Sequence, residues 1–365
     1  MIASIAKTVV MPRERIVSGQ SQGEEENRFN YALRPQKFSQ YIGQEALIRK
    51  LRIAVQAARQ RGEPVEHTLL HGPPGLGKTT LAHVIANEVG AQLYVTNGPA
   101  LTRAVDLAGI LSKLKQGDVL FIDEIHRLPP VVEECLYPAM EDFKIDITLD
   151  QGPHARTMSI PIPPFTLIGA TTRLGLLTAP MRGRFGINSH IEFYEPEALY
   201  QILSANAKLL KLEVEGAALR ELSQRSRGTP RIANRLLRRV RDFAAVEGSG
   251  KLTLPITRAA LQLEGIDQKG LDEQDRQFLR TIIEVYDGGP VGVEAIAATM
   301  GEEIDTLVDV IEPYLLQIGL VTRTRQGRRA TKLAYEHLGV QWRPPAQNSA
   351  ADADQTLFEE GSSRE

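Results

Sequence analysis

The clearest chemical signal in the sequence is a phosphate-binding loop at residues 72–79, which read Gly-Pro-Pro-Gly-Leu-Gly-Lys-Thr. Its glycines permit backbone angles that a side chain would forbid, so the loop can turn its N–H groups toward a polyphosphate. Lys78 supplies a positive charge for the outer phosphates, and the Thr79 hydroxyl can complete the coordination shell of a Mg²⁺ ion. An ordinary Gly-Pro turn is the alternative, but every fixed position of the motif is satisfied. The loop therefore predicts binding of a nucleoside triphosphate, with ATP expected, together with Mg²⁺.

Two carboxylates, Asp123 and Glu124, directly follow the apolar run at residues 119–122. Ligands of open α/β sheets bind beyond the carboxyl ends of the strands, which is where these side chains would lie. We expect Asp123 to hold the Mg²⁺ ion, directly or through water, and Glu124 to orient or deprotonate the water that attacks the γ-phosphate. Taken alone, the pair fits two surface acids after a core strand equally well, but the phosphate loop favours the catalytic interpretation.

A second apolar run, residues 165–170, is followed by Thr171 and Thr172. A polar side chain in this position can contact the γ-phosphate or the attacking water, although an ordinary polar strand end fits the sequence too. Both threonines are therefore candidate sensors of the nucleotide, and Thr172 is only slightly preferred.

Arginines in two motifs are candidates for contacts with the phosphates. Arg182 and Arg184 precede a Phe-Gly turn, and an arginine supplied by another subunit can stabilise the transition state of phosphoryl transfer. Taken alone, these two arginines fit a solvated basic turn better. Arg231 lies in the first turn of a helix that Thr229 and Pro230 begin, where it can reach a nucleotide held between two domains.

The end of the sequence has the element order of a winged-helix domain. Three helical stretches (272–286, 292–299 and 303–316) precede two short strands around Gly327. Four arginines crowd residues 322–329, and such a basic tip is suited to contact with a phosphate backbone. Winged-helix domains also bind proteins, so a protein-binding module stays an alternative. We expect contact with double-stranded DNA that is weakly sequence-specific, because few side chains here suit the reading of base edges.

The composition limits the class of protein. The chain has 365 residues and a formal net charge of −2, so attraction to nucleic acid must come from local patches. Its single cysteine, Cys135, excludes an intramolecular disulfide and fits a reducing compartment. No apolar run approaches the ~18 residues of a membrane span, and the weakly apolar start is too short for a signal peptide. We expect a cytoplasmic protein of two or three domains.

Strands alternate with helices in the middle of the chain, which predicts a parallel sheet covered by helices on both faces. The predicted strands are residues 68–71, 92–96, 119–122 and 165–170, and the predicted helices include 47–61 and 80–89. Period-two alternation in residues 144–149 and 157–162 predicts a β-hairpin that projects from the sheet. From about Glu197 onward the pattern becomes helical and strand-free.

These motifs occur in the order of the AAA+ ATPases, and the sequence resembles that family closely. The ordered runs are GPPGLGKTT (72–80), LFIDEIHR (120–127), AMEDF (139–143), GATTR (169–173), RGRFGI (182–187) and GTPRIANRL (228–236). Within the AAA+ ATPases, the later motifs, the segment RPQKFSQYIGQ (34–44) and the winged-helix end resemble the RuvB family of bacterial Holliday-junction branch-migration motors. The likeness covers roughly residues 14–342, and the extended N-terminus and acidic tail depart from it without overlapping a motif.

The resemblance implies an α/β fold with three folded parts: a AAA+ P-loop ATPase domain, a small helical lid domain and a C-terminal winged-helix domain. The expected divisions are a flexible N-terminal extension (1–28), the ATPase domain (29–194), the lid (195–266), the winged-helix head (267–342) and a disordered acidic tail (343–365).

The resemblance also implies which residues contact the nucleotide. Leu33 and Arg34 would line the adenine pocket, with Tyr194 on its far side. The implied phosphate contacts are Gly75, Lys78, Thr79 and Thr80, and the segment Glu141, Asp142 and Phe143 would lie near the nucleotide or a subunit interface.

Further roles implied by the resemblance involve neighbouring molecules. Arg184 would be the arginine finger inserted into an adjacent subunit's site, and Arg231 would be the second sensor of the nucleotide. Arg323 and Arg328 would contact the DNA backbone, and the hairpin at residues 144–162 would dock the RuvA protein.

The expected function is therefore that of an ATP hydrolase coupled to movement of DNA. An arginine finger supplied in trans requires a ring or chain of subunits, and the family implies a homohexamer around duplex DNA at Holliday junctions, working with RuvA. A RuvC-type resolvase is a further partner that the resemblance allows. Two alternatives remain at this stage: a AAA+ loader or origin-binding switch, and a DNA-binding module with an inactive nucleotide site.

Overall fold

The structure is a computed structural model that describes residues 15–21, 23–148 and 157–342. The chain divides into two compact units, Met1–Asp272 and Glu273–Glu365. In the described part of the chain, no helix has both the length and the apolar character needed to cross a membrane. The predicted acidic tail (343–365) and the tip of the predicted hairpin lie outside the described residues.

The first unit is built from parallel strands alternating with helices. Its helices are α1 (Glu24–Ala32), α2 (Glu45–Arg61), α3 (Lys78–Val89), α4 (Ala104–Leu111), α5 (Pro130–Glu141), α6 (Ala179–Gly183), α7 (Pro196–Leu209), α8 (Gly216–Arg225), α9 (Pro230–Glu247) and α10 (Leu254–Leu263). Its strands are β1 (Thr68–His71), β2 (Leu93–Asn97), β3 (Val119–Asp123), β4 (Lys144–Thr148), β5 (Thr157–Pro161), β6 (Thr166–Thr171) and β7 (Ile187–His190). Short 3₁₀ turns lie at Phe38–Gln40, Gly98–Ala100, Ile125–Arg127 and Leu174–Leu176.

The central sheet has five strands in the order β2-β3-β6-β1-β7, and neighbouring strands are parallel. Because the strands are parallel, their carboxyl ends meet at one edge, and this edge brings together the phosphate loop after β1, Asp123 of β3 and Thr171 of β6. The four strands predicted from apolar runs are all present, whereas β7 was not predicted. Strands β4 and β5 pair separately as the predicted antiparallel hairpin.

Helices cover both faces of the sheet, as the alternation of elements predicts. Leu69 and Leu70 are adjacent on β1, yet they belong to two different apolar clusters, one on each face. Leu81 of α3 packs in the cluster of Leu70, and Leu136 of α5 packs in the cluster of Leu69. The predicted α/β architecture with a phosphate-loop domain is therefore confirmed.

The helices α7 to α10 form the predicted strand-free region, apart from an isolated bridge between Val214 and Leu252. Helix α9 is amphipathic, and its buried side chains Ile232, Leu236 and Val240 recur every fourth residue. This stripe packs in the same apolar cluster as α3, so the helical region lies on the face of the sheet that α3 covers.

The prediction of a flexible extension over residues 1–28 is wrong for residues 15–21 and 23–28. Residues 24–28 belong to helix α1, and the Val17 side chain is 1% exposed. Backbone carbonyls of this segment accept hydrogen bonds from arginines of α9, which is why a polar stretch without an apolar pattern is ordered. Residues 1–14 lie outside the described residues.

The second unit begins after Asp272, although the sequence assigns residues 267–272 to the head domain. Arg15 donates hydrogen bonds to both carboxylate oxygens of Asp272, at 2.8 and 2.9 Å, which links these residues to the first unit. The second unit contains α11 (Glu273–Arg280), α12 (Val293–Met300), α13 (Ile304–Thr306), α14 (Glu312–Gln317), β8 (Val321–Thr324), β9 (Gly327–Ala330) and α15 (Lys332–Leu338). Single π-helical turns follow α11 and α13. Strands β8 and β9 pair as an antiparallel wing, which confirms the predicted winged helix.

Candidate active site

A cavity of about 740 Å³ opens at the carboxyl edge of the central sheet. It brings together residues from five segments that are separate in the sequence. The predicted site residues that line it are Leu33, Arg34, Gly75, Lys78, Thr79, Thr80, Asp123, Glu124, Tyr194 and Arg231. The cavity therefore has an apolar and aromatic end suited to a base and a charged end suited to phosphates and a cation.

The phosphate loop needs glycine at two close approaches. Gly72 has φ +141°, and a Cβ there would lie 2.4 Å from the carbonyl oxygen of Ile191. Gly75 has φ +80°, and a Cβ there would lie 2.8 Å from the Cγ2 of Thr229. The loop is thus packed between the exit of β7 and the start of α9, so its shape is coupled to both.

Lys78 is the buried cation of the site. Its ammonium donates to two loop carbonyls, the nearer being that of Gly72 at 2.7 Å. Burial lowers the pKa of Lys78 to about 8; the carboxylates of Asp123 and Glu124 oppose this shift, and Arg231 adds to it. About half of the Lys78 side chains are therefore still protonated at pH 8, and a bound polyphosphate would stabilise the charged form.

The two carboxylates differ in their surroundings. The backbone N–H of Glu124 donates to Asp123 Oδ1 at 3.0 Å, and Glu124 has the uncommon φ of +47°. The Thr172 hydroxyl donates to Glu124 Oε2 at 3.2 Å, and His126 Nδ1 lies 3.2 Å from the same oxygen. Thr171 instead is buried and contacts His126 at 2.9 Å. The geometry thus favours Thr172 as the residue linked to Glu124. It also places His126 beside Glu124, although the sequence analysis named this histidine only within the motif LFIDEIHR.

Two tyrosines, Tyr41 and Tyr194, line the apolar and aromatic end of the cavity. The hydroxyls of Tyr41 and Tyr194 lie 3.0 Å apart, and that of Tyr194 donates to the carbonyl of Leu76 at 3.3 Å. Burial raises the pKa of Tyr41 to about 12, so its hydroxyl stays protonated as a hydrogen-bonding group. Leu33 is 7% exposed, and both Leu33 and Arg34 line the cavity; their contact with adenine stays a prediction. Tyr41 lines it too and was missed, because nothing in its sequence context marks it.

The N-terminal segment also reaches the site, which the sequence did not suggest. The guanidinium of Arg231 donates to the carbonyl of Gly19 at 2.7 Å, and the backbone N–H of Arg231 bonds to Gly75 O at 3.4 Å. A Cβ on Gly19 would lie 2.7 Å from the carbonyl oxygen of Pro74 in the phosphate loop. Residues 15–21, hereafter the N-terminal strap, therefore join the phosphate loop to helix α9.

Arg235 anchors this strap. Its side chain is 3% exposed and pairs with Glu26, and its guanidinium donates to the carbonyls of Ile16 (2.6 Å), Ser18 (2.8 Å) and Gln20 (2.8 Å). A single buried guanidinium thus satisfies one carboxylate and several backbone acceptors. The strap owes its order to this interaction, because backbone carbonyls without partners are costly to bury.

We expect Arg235→Ala to lower the free energy of unfolding of the first unit by about 3–5 kcal/mol, because it leaves the buried Glu26 carboxylate unpaired. Calorimetric melting of the full chain measures the effect. The control is Arg239→Ala, whose side chain is 48% exposed and lies 3.9 Å from Glu264. Adding Glu26→Gln to Arg235→Ala should recover part of the loss. Equal melting temperatures for Arg235→Ala and the control would contradict the expectation.

Arg184 does not line the cavity of its own chain, as far as the described residues show. Its guanidinium lies 4.1 Å above the centre of the Tyr137 ring, pairs with Glu141 at 3.2 Å and donates to Pro180 O at 2.9 Å. The Glu133 carboxylate accepts hydrogen bonds from the hydroxyls of Thr178 and of Tyr137, the residue on which Arg184 stacks. The arginine is held in a defined position away from its own nucleotide site.

The segment Glu141 to Phe143 likewise lies apart from the cavity. Glu141 contacts Arg184, and Asp142 pairs with Lys144 at 2.8 Å. The Phe143 ring packs edge-on against Phe165, with 6.1 Å between ring centres. The structure therefore does not bring these three residues to the nucleotide cavity of their own chain, and it gives Glu141 a contact with the predicted arginine finger instead.

In the second unit, Arg323 and Arg328 are both paired with Glu312. The Nε atoms of the two arginines donate to Glu312 Oε1 at 3.2 and 2.8 Å, and the Glu312 side chain is 1% exposed. Burial by itself would raise the pKa of Glu312, but the bonds from Arg328 and Arg323 outweigh it and lower the pKa. One buried carboxylate thus fixes both predicted DNA contacts, which lie opposite each other one residue pair from the turn of the wing.

Three family models match the chain in sequence order. They are the Holliday junction DNA helicase RuvB P-loop domain over residues 33–191, the RuvB AAA lid domain over 194–267 and the RuvB C-terminal winged helix domain over 268–339. Together they span the same three parts that the motifs indicate.

Whole-length relatives agree with these models. The Holliday junction branch migration complex subunit RuvB of Myxococcus xanthus (strain DK1622) is 54% identical over 341 residues, which are 93% of this chain and 99% of the relative. The protein of the same name from Kosmotoga olearia is 54% identical over 327 residues, 90% of this chain and 95% of the relative. The structure of the Thermotoga maritima RuvB Holliday junction branch migration motor aligns with a TM-score of 0.78 at 50% identity, covering 86% of this chain and all of that one. With matches of this extent in every described domain, the chain belongs to the RuvB family.

Proposed function

We propose that this chain is the ATP-driven motor subunit that moves Holliday junctions along DNA in homologous recombination and DNA repair. One observation supports the ATPase part above all others: a single cavity collects Lys78, Thr79, Asp123, Glu124 and Arg231 from distant segments. The relatives' name, Holliday junction branch migration complex subunit, supports the choice of substrate.

The roles of the site residues follow from their positions. Lys78 and the loop N–H groups hold the phosphates, and Glu124, oriented by the Thr172 hydroxyl, positions and deprotonates the attacking water. Arg231 ties the nucleotide to helix α9, so nucleotide state is transmitted to the lid. The same guanidinium also donates to the carbonyl of Gly19, so Arg231 connects the N-terminal strap to the bound nucleotide.

Mg²⁺ is the cation that this donor set suits. Thr79 and Asp123 both line the charged end of the cavity and offer a hydroxyl and a carboxylate oxygen, which are ligands typical of Mg²⁺. When bound, the ion neutralises charge on the β- and γ-phosphates.

The assembly we propose is a homohexameric ring around double-stranded DNA, with RuvA as partner and a RuvC-type resolvase as a further one. Arg184 supports the ring, because its guanidinium is held outside the cavity of its own chain and would act in the site of a neighbouring subunit. The hairpin β4–β5, which pairs apart from the central sheet, is the proposed RuvA contact. A cytoplasmic location is part of the same proposal, since chromosomal DNA is the substrate.

A synthetic four-way junction tests the function directly. With ATP, Mg²⁺ and RuvA, the chain should convert the junction into two duplex products and hydrolyse ATP continuously. A AAA+ loader or origin-binding switch would hydrolyse ATP during loading without separating the junction arms. Absence of duplex products, with ATP binding intact, would exclude the motor.

Lys78 gives ATP binding a measurable proton signature. With a pKa of about 8 in the free protein, Lys78 should take up about 0.8 proton at pH 8.5 when a triphosphate raises its pKa. Affinity should therefore weaken as pH rises above 8. Calorimetry in two buffers with different ionisation enthalpies measures this uptake. Lys78→Arg, which stays charged, should show none. Equal uptake in both proteins would rule out Lys78 as the source.

The wing arginines are proposed to contact the DNA backbone, because both are held together by Glu312 on one short hairpin. Arg323→Ala and Arg328→Ala should each weaken binding to duplexes of any sequence and reduce the salt dependence, log K against log[salt], by about one. Fluorescence anisotropy at several salt concentrations measures both. Lys332→Ala, 65% exposed on α15, is the control. An unchanged salt slope in both arginine variants would remove these residues from the interface.

A further inference from the structure

Two histidines meet at the end of the central sheet, beside the phosphate loop. His71 ends β1 and His190 ends β7, and the strand register places them directly opposite each other. Their Nδ1 atoms share a hydrogen bond of 3.2 Å, whose proton a metal ion would have to displace, and their ring centres are separated by 4.9 Å. His71 is half-buried and His190 is exposed, so solvent reaches the pair. The ATPase site as described above uses neither ring.

The separation of the two nitrogens matches that of two ligands on one metal ion. In a tetrahedral zinc site with Zn–N bonds of 2.0–2.1 Å, two ligand nitrogens are about 3.3–3.4 Å apart. We propose that His71 and His190 form a binding site for a divalent transition-metal ion of the Zn²⁺ class, held by both Nδ1 atoms. Imidazole suits Zn²⁺, Cu²⁺ and Ni²⁺ and not Mg²⁺, so the site is chemically distinct from the Mg²⁺ ligands of the cavity.

The protonation state of the pair suits coordination. Burial, the neighbouring His190 and the ammonium of Lys78 together lower the pKa of His71, so this ring is neutral at neutral pH. Both rings must carry their proton on Nε2 for the two Nδ1 lone pairs to face the ion. Among the described residues, no group of three or more histidines, cysteines or acids could hold a metal ion together, so two waters would complete a tetrahedral shell around an ion held by this pair.

The two histidines join the start of the phosphate loop, after β1, to the chain that leaves β7. Both segments reach the nucleotide cavity, so nucleotide binding depends on their relative position. His71 directly precedes the phosphate loop, and its carbonyl accepts a hydrogen bond from the backbone N–H of Ile191 at 2.8 Å. After Ile191 the chain reaches Tyr194, which lines the cavity. A metal held by both histidines fixes the loop to the exit of β7, and we expect it to slow ATP hydrolysis by restricting movement of this junction.

Zinc binding to the full chain tests the site. Titration calorimetry with ZnCl₂, in saturating Mg²⁺ and ADP so that the cavity is occupied, should show one equivalent bound. His71→Gln and His190→Gln should each weaken that affinity by about tenfold or more, since loss of outer-shell partners alone costs 10–100-fold. His337→Gln, in the second unit, should leave it unchanged. No binding, or equal binding by all four proteins, would overturn the proposal.

The exposed position of His190 keeps the test decisive if His71→Gln folds poorly. Ring ¹⁵N spectra of the wild-type chain should shift the Nδ1 signals of both histidines on addition of Zn²⁺, and His190→Gln should abolish the shift of His71. A shift of His71 that survives in His190→Gln would show that the two rings do not share an ion. Zinc inhibition of ATP hydrolysis should be weaker in His190→Gln, and equal inhibition would refute the effect on hydrolysis. None of these measurements needs a four-way junction. A negative result would therefore refute the metal site without bearing on the proposed motor function.

Discussion

Arg184→Ala should lower the steady-state rate of ATP hydrolysis by about 10³- to 10⁵-fold, the range found when an arginine finger is missing. The physical reason is that the guanidinium stabilises charge that develops on the phosphoryl oxygens only in the transition state. ATP affinity should change little, because Arg184 lies outside the cavity of its own chain among the described residues. Rapid measurement of released phosphate gives the rate, and fluorescent-nucleotide titration gives the affinity.

The matched control for Arg184 is Arg182→Ala. Both arginines belong to the same short motif, but Arg182 is exposed, whereas Arg184 is fixed by Glu141 and the Tyr137 ring. Arg182→Ala should keep hydrolysis within a few-fold of the wild type. Equal losses in the two variants would mean that the motif acts through its net charge and not through one positioned guanidinium.

Mixing variants distinguishes a finger supplied by a neighbour from one that acts within its own chain. A ring assembled from equal amounts of Arg184→Ala and Glu124→Gln contains complete sites wherever an Arg184→Ala subunit receives Arg184 from its Glu124→Gln neighbour. Random assembly would complete about a quarter of the sites, so activity should rise far above either variant alone. No recovery in rings shown to contain both variants would place the arginine in cis.

Glu124→Gln should reduce turnover by about 10²- to 10⁴-fold while ATP still binds. The amide keeps the shape of the side chain and can still accept the hydrogen bond from Thr172, but it cannot take a proton from water. Burst and single-turnover measurements separate loss of chemistry from loss of binding. Glu134→Gln, an exposed position on α5, is the control. Turnover within tenfold of the wild type would show that another group activates the water.

Measuring ATP turnover and branch migration on Glu124→Gln tests whether ATP hydrolysis is needed for the movement of DNA. If Glu124→Gln binds ATP and junction DNA but produces no duplex arms, hydrolysis itself drives the movement. Branch migration at the wild-type rate by this variant would instead show that nucleotide binding is sufficient and would overturn the enzyme interpretation.

Strands β1, β3 and β6 could be predicted from the sequence because they are buried on both faces. Their residues form continuous apolar runs, and the phosphate loop, Asp123 and Thr171 follow directly from the ends of these runs. Strand β7 could not be predicted in this way. It reads Ile-Asn-Ser-His and buries only Ile187, so a single apolar residue among three polar ones leaves no pattern to mark it.

The order of the N-terminal strap could not be predicted from the sequence either. Its residues are polar and carry no periodicity, so composition indicates a flexible lead-in. In the fold, the Arg235 side chain of α9 is buried away from solvent, and the carbonyls of the strap accept the hydrogen bonds of its guanidinium. Order in this segment comes from a residue more than two hundred positions away, which no local pattern contains.

The phosphate loop, the carboxylates, the arginines and the wing could all be predicted from short motifs, because the residue types in such motifs follow from the bonds they make. The partners of these residues became visible only in the folded chain. The fold linked Thr172, and not Thr171, to Glu124; it held Arg184 on Tyr137 and Glu141, away from its own cavity; and it paired both wing arginines with Glu312. These contacts join residues that are distant in the chain, and hydrogen bonds and ion pairs at such distances depend on how the elements pack, which residue spacing does not encode.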